Sequence, residues 1–149
     1  MLWRKVLYTG STMTVSDCLF CKIVKGEIPA RKIYEDEHSF AFLDINPVNP
    51  GHTLLLPKEH SRNILEISDE TFSKIAPVLK KLSVAVKKGV RADGINIHIN
   101  NEAPAGQAIF HTHFHIIPRF SNDGIRMWHG KSYKEGEEGH VAENIMAQL

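Results

Sequence analysis

The chain has 149 residues, 42% hydrophobic and 23% charged, with a net charge of +1. That length suits one domain with a real core, and so small a charge gives no electrostatic case for nucleic acid or an acidic membrane surface. No run approaches the ~18 apolar residues of a membrane span, and the C-x-x-C spacing of Cys18 and Cys21 fits a reducing cytoplasm better than a disulfide scaffold.

Residues 1–16 include Arg4 and Lys5 but no acid, and they lack the long apolar middle of a secretory signal. They read as a disordered or extended N-terminal extension, or as the product of an upstream start with Met13 the natural one. A single domain is expected over 17–149. Residues 18–24 read as a short helical turn ending at Gly26, and Ile28-Pro29 opens an extended region. Lys32–Glu35 and Ser39–Leu43 read as strands around an Asp36-Glu37 turn. Residues 44–51 carry two prolines, two asparagines and a glycine and form a loop. The apolar run 53–56 is a buried strand closed by Pro57.

One long helix follows. Ser68 is a good N-cap, with Asp69 and Glu70 where the helix dipole favours negative charge. Phe72, Ile75, Ala76, Leu79, Leu82 and Val86 recur at helical spacing and should form its buried face. Pro77 lies inside this pattern and should kink the helix or mark an early turn. Gly89 and Asp93-Gly94 end it. Ile95, Ile97 and Ile99 alternate as a strand, and a Gly/Pro-bearing loop covers 100–107. A last strand runs from His111 to about Pro118, and a shorter helix is expected over 141–148. The sum is α+β, with a mainly antiparallel five-stranded sheet, one long helix and a shorter one.

That last strand carries the chemistry. His111-Thr112-His113-Phe114-His115 sets three imidazoles at alternating positions, which on a strand share one face. Thr112, Phe114 and Ile116 then point the other way, into a core. Three readings compete: polar residues on an exposed face, metal ligands, or nucleophilic catalysis by imidazole. A metal fits the ligand type, although residues 116–122 offer no carboxylate and a remote ligand such as Glu102 would be needed. Nucleophilic catalysis uses an unprotonated ring nitrogen to attack phosphorus and split one displacement into two. Neighbouring imidazoles then serve the phosphate and leaving group, and a Gly- and amide-bearing loop such as 100–107 suits an anion. Cys18 and Cys21 make half a zinc site by spacing. Two buried thiols or a redox pair are the alternatives, the second without its usual βαβ context.

The run from Gly106 to Ile117, GQAIFHTHFHII, closely resembles the signature of the histidine triad (HIT) family of nucleotide hydrolases and transferases. So do DCLFCKI from Asp17 with GEIPA from Gly26, FLDI from Phe42 with Pro47, and PGHTLLLPKEH from Pro50. These blocks stand in the family's order over about 17–119. The resemblance is strongest to bacterial-type members of the branch that cleaves nucleoside phosphoramidates, and weakest in the tail from about 120.

The resemblance implies a dimeric, cytoplasmic hydrolase of purine nucleoside phosphoramidates or dinucleoside polyphosphates, with a homodimer and a nucleotide as its partners. His113 would be the nucleophile that becomes nucleotidylated. His115 would bond the α-phosphate and assist the leaving group, and His111 and His52 would orient the triad. Asp44 would hold the ribose, with Leu19, Phe20, Ile23, Phe42 and Ile45 around the base. Asn100, Gly106 and Gln107 would hold the phosphate. Many relatives carry serine where this chain has Ala108, so one hydroxyl donor to the phosphate is missing. Some bacterial-type members bind a structural zinc through C-x-x-C and two histidines, positions that fall here on Cys18, Cys21, His60 and His111. Taken on residues alone, Phe42 and Ile45 are equally ordinary core and Asp44 equally a turn residue. Two other functions stay open: a nucleotide-binding or scaffold protein with vestigial activity, and a metal-dependent enzyme using the histidine row. His38, His98, His129 and His140 are expected at the surface.

Overall fold

A computed structural model describes residues 17–126 and 128–149. The expected N-terminal extension and Met13 lie outside these. The elements run α1 (Leu19–Val24), β1 (Lys32–Glu35), β2 (Ser39–Leu43), β3 (Thr53–Pro57), α2 (Asp69–Gly89), β4 (Gly94–His98), β5 (Phe114–Arg119) and α3 (Glu137–Met146). The strands form one antiparallel sheet in the order β1-β2-β3-β5-β4.

Period-two alternation splits the sheet's side chains between two cores. Phe40 and Phe42 of β2 sit opposite Leu56 and Leu54 of β3 and pack with Cys18, Phe20, Cys21 and Ile23 of the α1 segment. Ala41, Leu55, Phe114 and Ile116 project the other way and pack on Ile75, Val78, Leu82 and Val86 of α2. The expectation for Phe114 and Ile116 is therefore met. His115 pairs with Leu54, so it belongs to the α1 face.

Helix α2 begins as its sequence demands, with the Ser68 hydroxyl accepting from the Thr71 amide and two acids in the first turn. It continues through Pro77 as one helix, so no early turn occurs there. Its buried face differs from the expected one. Thr71, Ile75, Val78, Leu82 and Val86 are buried, while Phe72 is 38% exposed and Ala76 faces outward. On the rotated stripe, the Thr71 hydroxyl donates to the Glu59 carboxylate in the segment after β3. The helix closes at Arg91 in the left-handed region (φ 54°), with the Ala92 amide donating to the Lys87 carbonyl. No glycine occupies the terminating position.

Two further boundaries move. Helix α3 starts at Glu137, four residues before the expected 141, and none of its residues is buried. Strand β5 starts only at Phe114, so His111 and His113 precede it. The reason is local pairing. The Thr112 amide donates to the Ser61 carbonyl at 2.7 Å and the two hydroxyls meet at 2.7 Å, so the backbone at 112 pairs with the loop after β3 and not with the strand.

Candidate active site and metal centre

The three imidazoles still gather on the α1 side, His111 and His113 against the Phe20 ring and His115 against His113, but their surroundings differ. His111 is fully buried, and its Nε2–H donates to the Pro57 carbonyl at 2.8 Å. A carbonyl can only accept, so the lone pair of His111 lies on Nδ1. That atom is 3.5 Å from both the Cys18 and Cys21 sulfurs, and the His60 Nδ1 is 3.3 Å from Cys21. The four ligand atoms lie within 4.8 Å of one another. Helix α1 makes this possible, because Cys18 is its N-cap and its sulfur accepts from the Cys21 amide. Burial pushes the Cys21 thiol up to about 12 and the His111 imidazole down to about 4. Two soft sulfurs and two imidazole nitrogens, three of the residues buried and His60 half-buried, have the ligand types of a closed tetrahedral zinc site.

His113 stands next in the row. Its Nδ1–H donates to the carbonyl of His111 at 2.6 Å, which leaves the lone pair on Nε2. The Phe20 ring packs edge-on against it, with centroids 5.0 Å apart. Burial lowers its pKa, so the neutral ring is the resting form.

His115 is governed by His52. The Val48 amide donates to His52 Nδ1 at 3.2 Å, so His52 carries its hydrogen on Nε2 and donates it to His115 Nδ1 at 2.9 Å. His115 must then hold its own hydrogen on Nε2, pointing away from His52. Burial, and next the neighbouring His113 and His52, depress His115 to about 4. Burial also lowers His52. The expected joint support by His111 and His52 thus divides: His111 orients His113 through its backbone, and His52 orients His115 through its ring.

The nucleotide-pocket residues are brought together only in part. Phe20, Ile23 and Phe42 are buried in the α1 core with Leu19 against them. Asp44 has a double position. Its Oδ1 accepts from the Asn46 amide as a turn residue, and its Oδ2 lies 3.8 Å from His52 Nδ1. That distance is beyond a hydrogen bond, so the carboxylate acts there as a charge. Ile45 is 68% exposed, outside the core that Phe42 joins. Asn100 donates to the Gly106 carbonyl at 3.4 Å, and Gly106 takes φ 88°, which suits glycine. Gln107 follows Gly106 in the same loop and is buried. Its side chain donates to the carbonyls of Arg62 and Ile109 and accepts from the Glu102 amide, so it braces loops within the protein.

His98, expected at the surface without a partner, is the cross-strand neighbour of His115 and lies 4.9 Å from the Trp128 ring. Its alternation with the isoleucines was visible in the sequence; the strand beside it was not.

A model of the HIT domain matches residues 25–122. The chain belongs to the HIT family. A crystal structure of a HIT family member from Bacillus subtilis superposes with a TM-score of 0.83 at 39% identity, covering 89% of this chain and 97% of that one. An adenosine 5'-monophosphoramidase of Schizosaccharomyces pombe is 47% identical over 102 residues, 68% of this chain and 74% of its own. A zinc-bound histidine triad protein from Mycobacterium smegmatis aligns with a TM-score of 0.71 at 36% identity, over 90% of this chain and 99% of that one. Cys18 and Cys21 precede the matched HIT segment, so that match does not rest on them. Among the described residues, no helix is long and apolar enough to cross a membrane.

Proposed function

We propose that this HIT-family protein hydrolyses purine nucleoside phosphoramidates, with dinucleoside polyphosphates as a second substrate class, through a covalent nucleotidyl-His113. The carrying observation is the pair of fixed tautomers: a bare Nε2 on His113 and an Nε2–H on His115. The first is a nucleophile and the second a donor for the phosphate and the departing atom. The His113 Nε2 lone pair forms a bond to phosphorus as the P–N bond breaks, and the substrate nitrogen, protonated from solvent before cleavage, keeps the P–N electron pair and leaves as an amine. Water then attacks phosphorus, loses a proton to solvent, and the bond to Nε2 breaks to restore the neutral ring. Asp44 would meet the ribose, with Leu19, Phe20, Ile23, Phe42 and Ile45 near the base and Asn100, Gly106 and Gln107 at the phosphate.

Zinc on Cys18, Cys21, His60 and His111 would supply structural cross-linking only, tying α1 to the strand that carries His113. The zinc-bound relative and the donor set support it. A homodimer fits the exposed Ile97 on the edge strand β4 and Phe72 and Val84 on α2, and a cytoplasmic site fits the paired thiols.

The test is incubation with adenosine phosphoramidate, followed by trapping and mapping of an adenylylated residue. Modification at His113 is expected; turnover without it overturns the mechanism, and an inert protein that binds AMP leaves a nucleotide-binding protein. A metal-dependent enzyme has its own observation, since ligand atoms of Asp44, His52 and His115 also gather within 4.8 Å. Activity abolished by a chelator that leaves the cysteine site loaded would favour that reading.

A further inference from the structure

Glu102 has a backbone that its residue type resists. Its φ of 71° and ψ of 158° fall in a region that essentially only glycine occupies. The surroundings hold it there. Arg62 grips the carboxylate with Nη2 at 2.8 Å and Nε at 3.3 Å, and the buried Asn63 amide donates to it at 2.7 Å. The Glu102 amide donates to Gln107 Oε1 at 2.8 Å, and its carbonyl accepts from the Ala105 and Gln107 amides at 3.1 and 3.2 Å.

These bonds link the strain to the histidines. The Gln107 side chain runs on to the carbonyls of Arg62 and Ile109, and the Ile109 carbonyl also accepts from the His111 amide at 3.0 Å. Beyond this brace, no described group accepts from the Ala108 amide, and Ala108 is exposed. Arg62 also stacks on Phe110, 4.3 Å from the ring centroid, so the grip has an apolar wall. The Arg62 guanidinium holds the Glu102 carboxyl below its usual range, which keeps the clamp ionised at neutral pH.

We propose that Glu102 is a positioning residue whose carboxylate, clamped by Arg62 and Asn63, holds the 100–108 loop in a strained shape for a nucleotide phosphate. The phosphate half of this statement rests on the proposed function; the clamp itself does not. Strain of this kind persists only when the surroundings overdetermine it, and residues that carry it cluster at functional sites. Glycine reaches the same backbone angles without a clamp, whereas alanine keeps the Cβ penalty and loses the grip.

The experiment compares full-length, metal-loaded wild type with Glu102→Ala, Glu102→Gly and Glu102→Gln. Amide hydrogen exchange reads the loop, and calorimetry reads AMP against adenosine. In the alanine variant the Gly106 and Gln107 amides should exchange at least about tenfold faster, and AMP should bind about tenfold more weakly while adenosine is unchanged. The glycine variant should recover most of both losses, and glutamine should fall between. Unchanged exchange in Glu102→Ala overturns the clamp. Equal losses in the glycine and alanine variants overturn the role of strain. Equal weakening of AMP and adenosine overturns the phosphate role, since a general loss of structure produces that. A wild type that binds neither ligand refutes the nucleotide reading, and the exchange data still decide the clamp.

Discussion

His113 donates its Nδ1–H to the carbonyl oxygen of His111, 2.6 Å away. The residue whose ring faces the two cysteines therefore uses its backbone to aim the His113 ring. If His113 attacks phosphorus, His113→Ala should abolish the trapped nucleotidyl protein. His115→Ala should lower turnover by about 10²–10³-fold, the range for losing one preorganised donor to developing charge. His52→Ala removes the bond that sets His115, worth ~0.5–1.5 kcal/mol, so about two- to tenfold in turnover is expected, and it also leaves the Val48 amide without its acceptor. Steady-state kinetics with adenosine phosphoramidate check the order.

Acid should destabilise the fold in a defined window. The folded His115 is depressed to about 4, and His52 is lowered too, both chiefly by burial. An unfolded imidazole titrates near ~6.5. Between these values the unfolded chain binds protons that the native state refuses, so stability falls as pH drops from about 6.5 toward 4. Above that window these groups give no slope. Urea midpoints at several pH values measure this, and a midpoint that rises on acidification contradicts it.

Metal analysis of the protein should find about one zinc per chain, as a single four-ligand site requires. Cys21→Ser should lose the metal and lower the melting temperature, by ~2–4 °C per kcal/mol for a chain of this size. The same variant should reduce turnover, because α1 and the 111–113 segment are no longer tied together. Full thermal stability after complete zinc removal would count against a structural centre.

Ala108 offers an exposed amide but no hydroxyl. Ala108→Ser should tighten the hold on a nucleotide phosphate by ~0.5–1.5 kcal/mol, about two- to tenfold in Kd for AMP. Calorimetry with AMP and adenosine separates this from a change in the base pocket.

Away from the site, Ser68→Ala removes the oxygen that accepts from the Thr71 amide at 3.1 Å. The helix should lose ~1 kcal/mol, visible as a shift of ~2–4 °C in thermal melting. Turnover at room temperature should be unaffected.

Much of this molecule was legible before any coordinates. The order of elements, the α2 start at Ser68, the orientation of Phe114 and Ile116 and the Cys18–Cys21 half of the metal cluster follow from local spacing and residue chemistry, whereas His60 and His111 came only with the family resemblance. Period two says which side of a strand a residue faces, and a hydroxyl before two acids says where a helix begins. Only tertiary structure decided what stands opposite. Cys18 meets His111 across 93 residues and His52 meets His115 across 63. Those meetings, with the Val48 amide and the Pro57 and His111 carbonyls, fix where each ring carries its hydrogen. They also commit the Gln107 side chain to the protein, and they bring His98 beside His115. Local periodicity cannot encode such partners, because a hydrogen bond depends on the atom that the rest of the chain delivers to it.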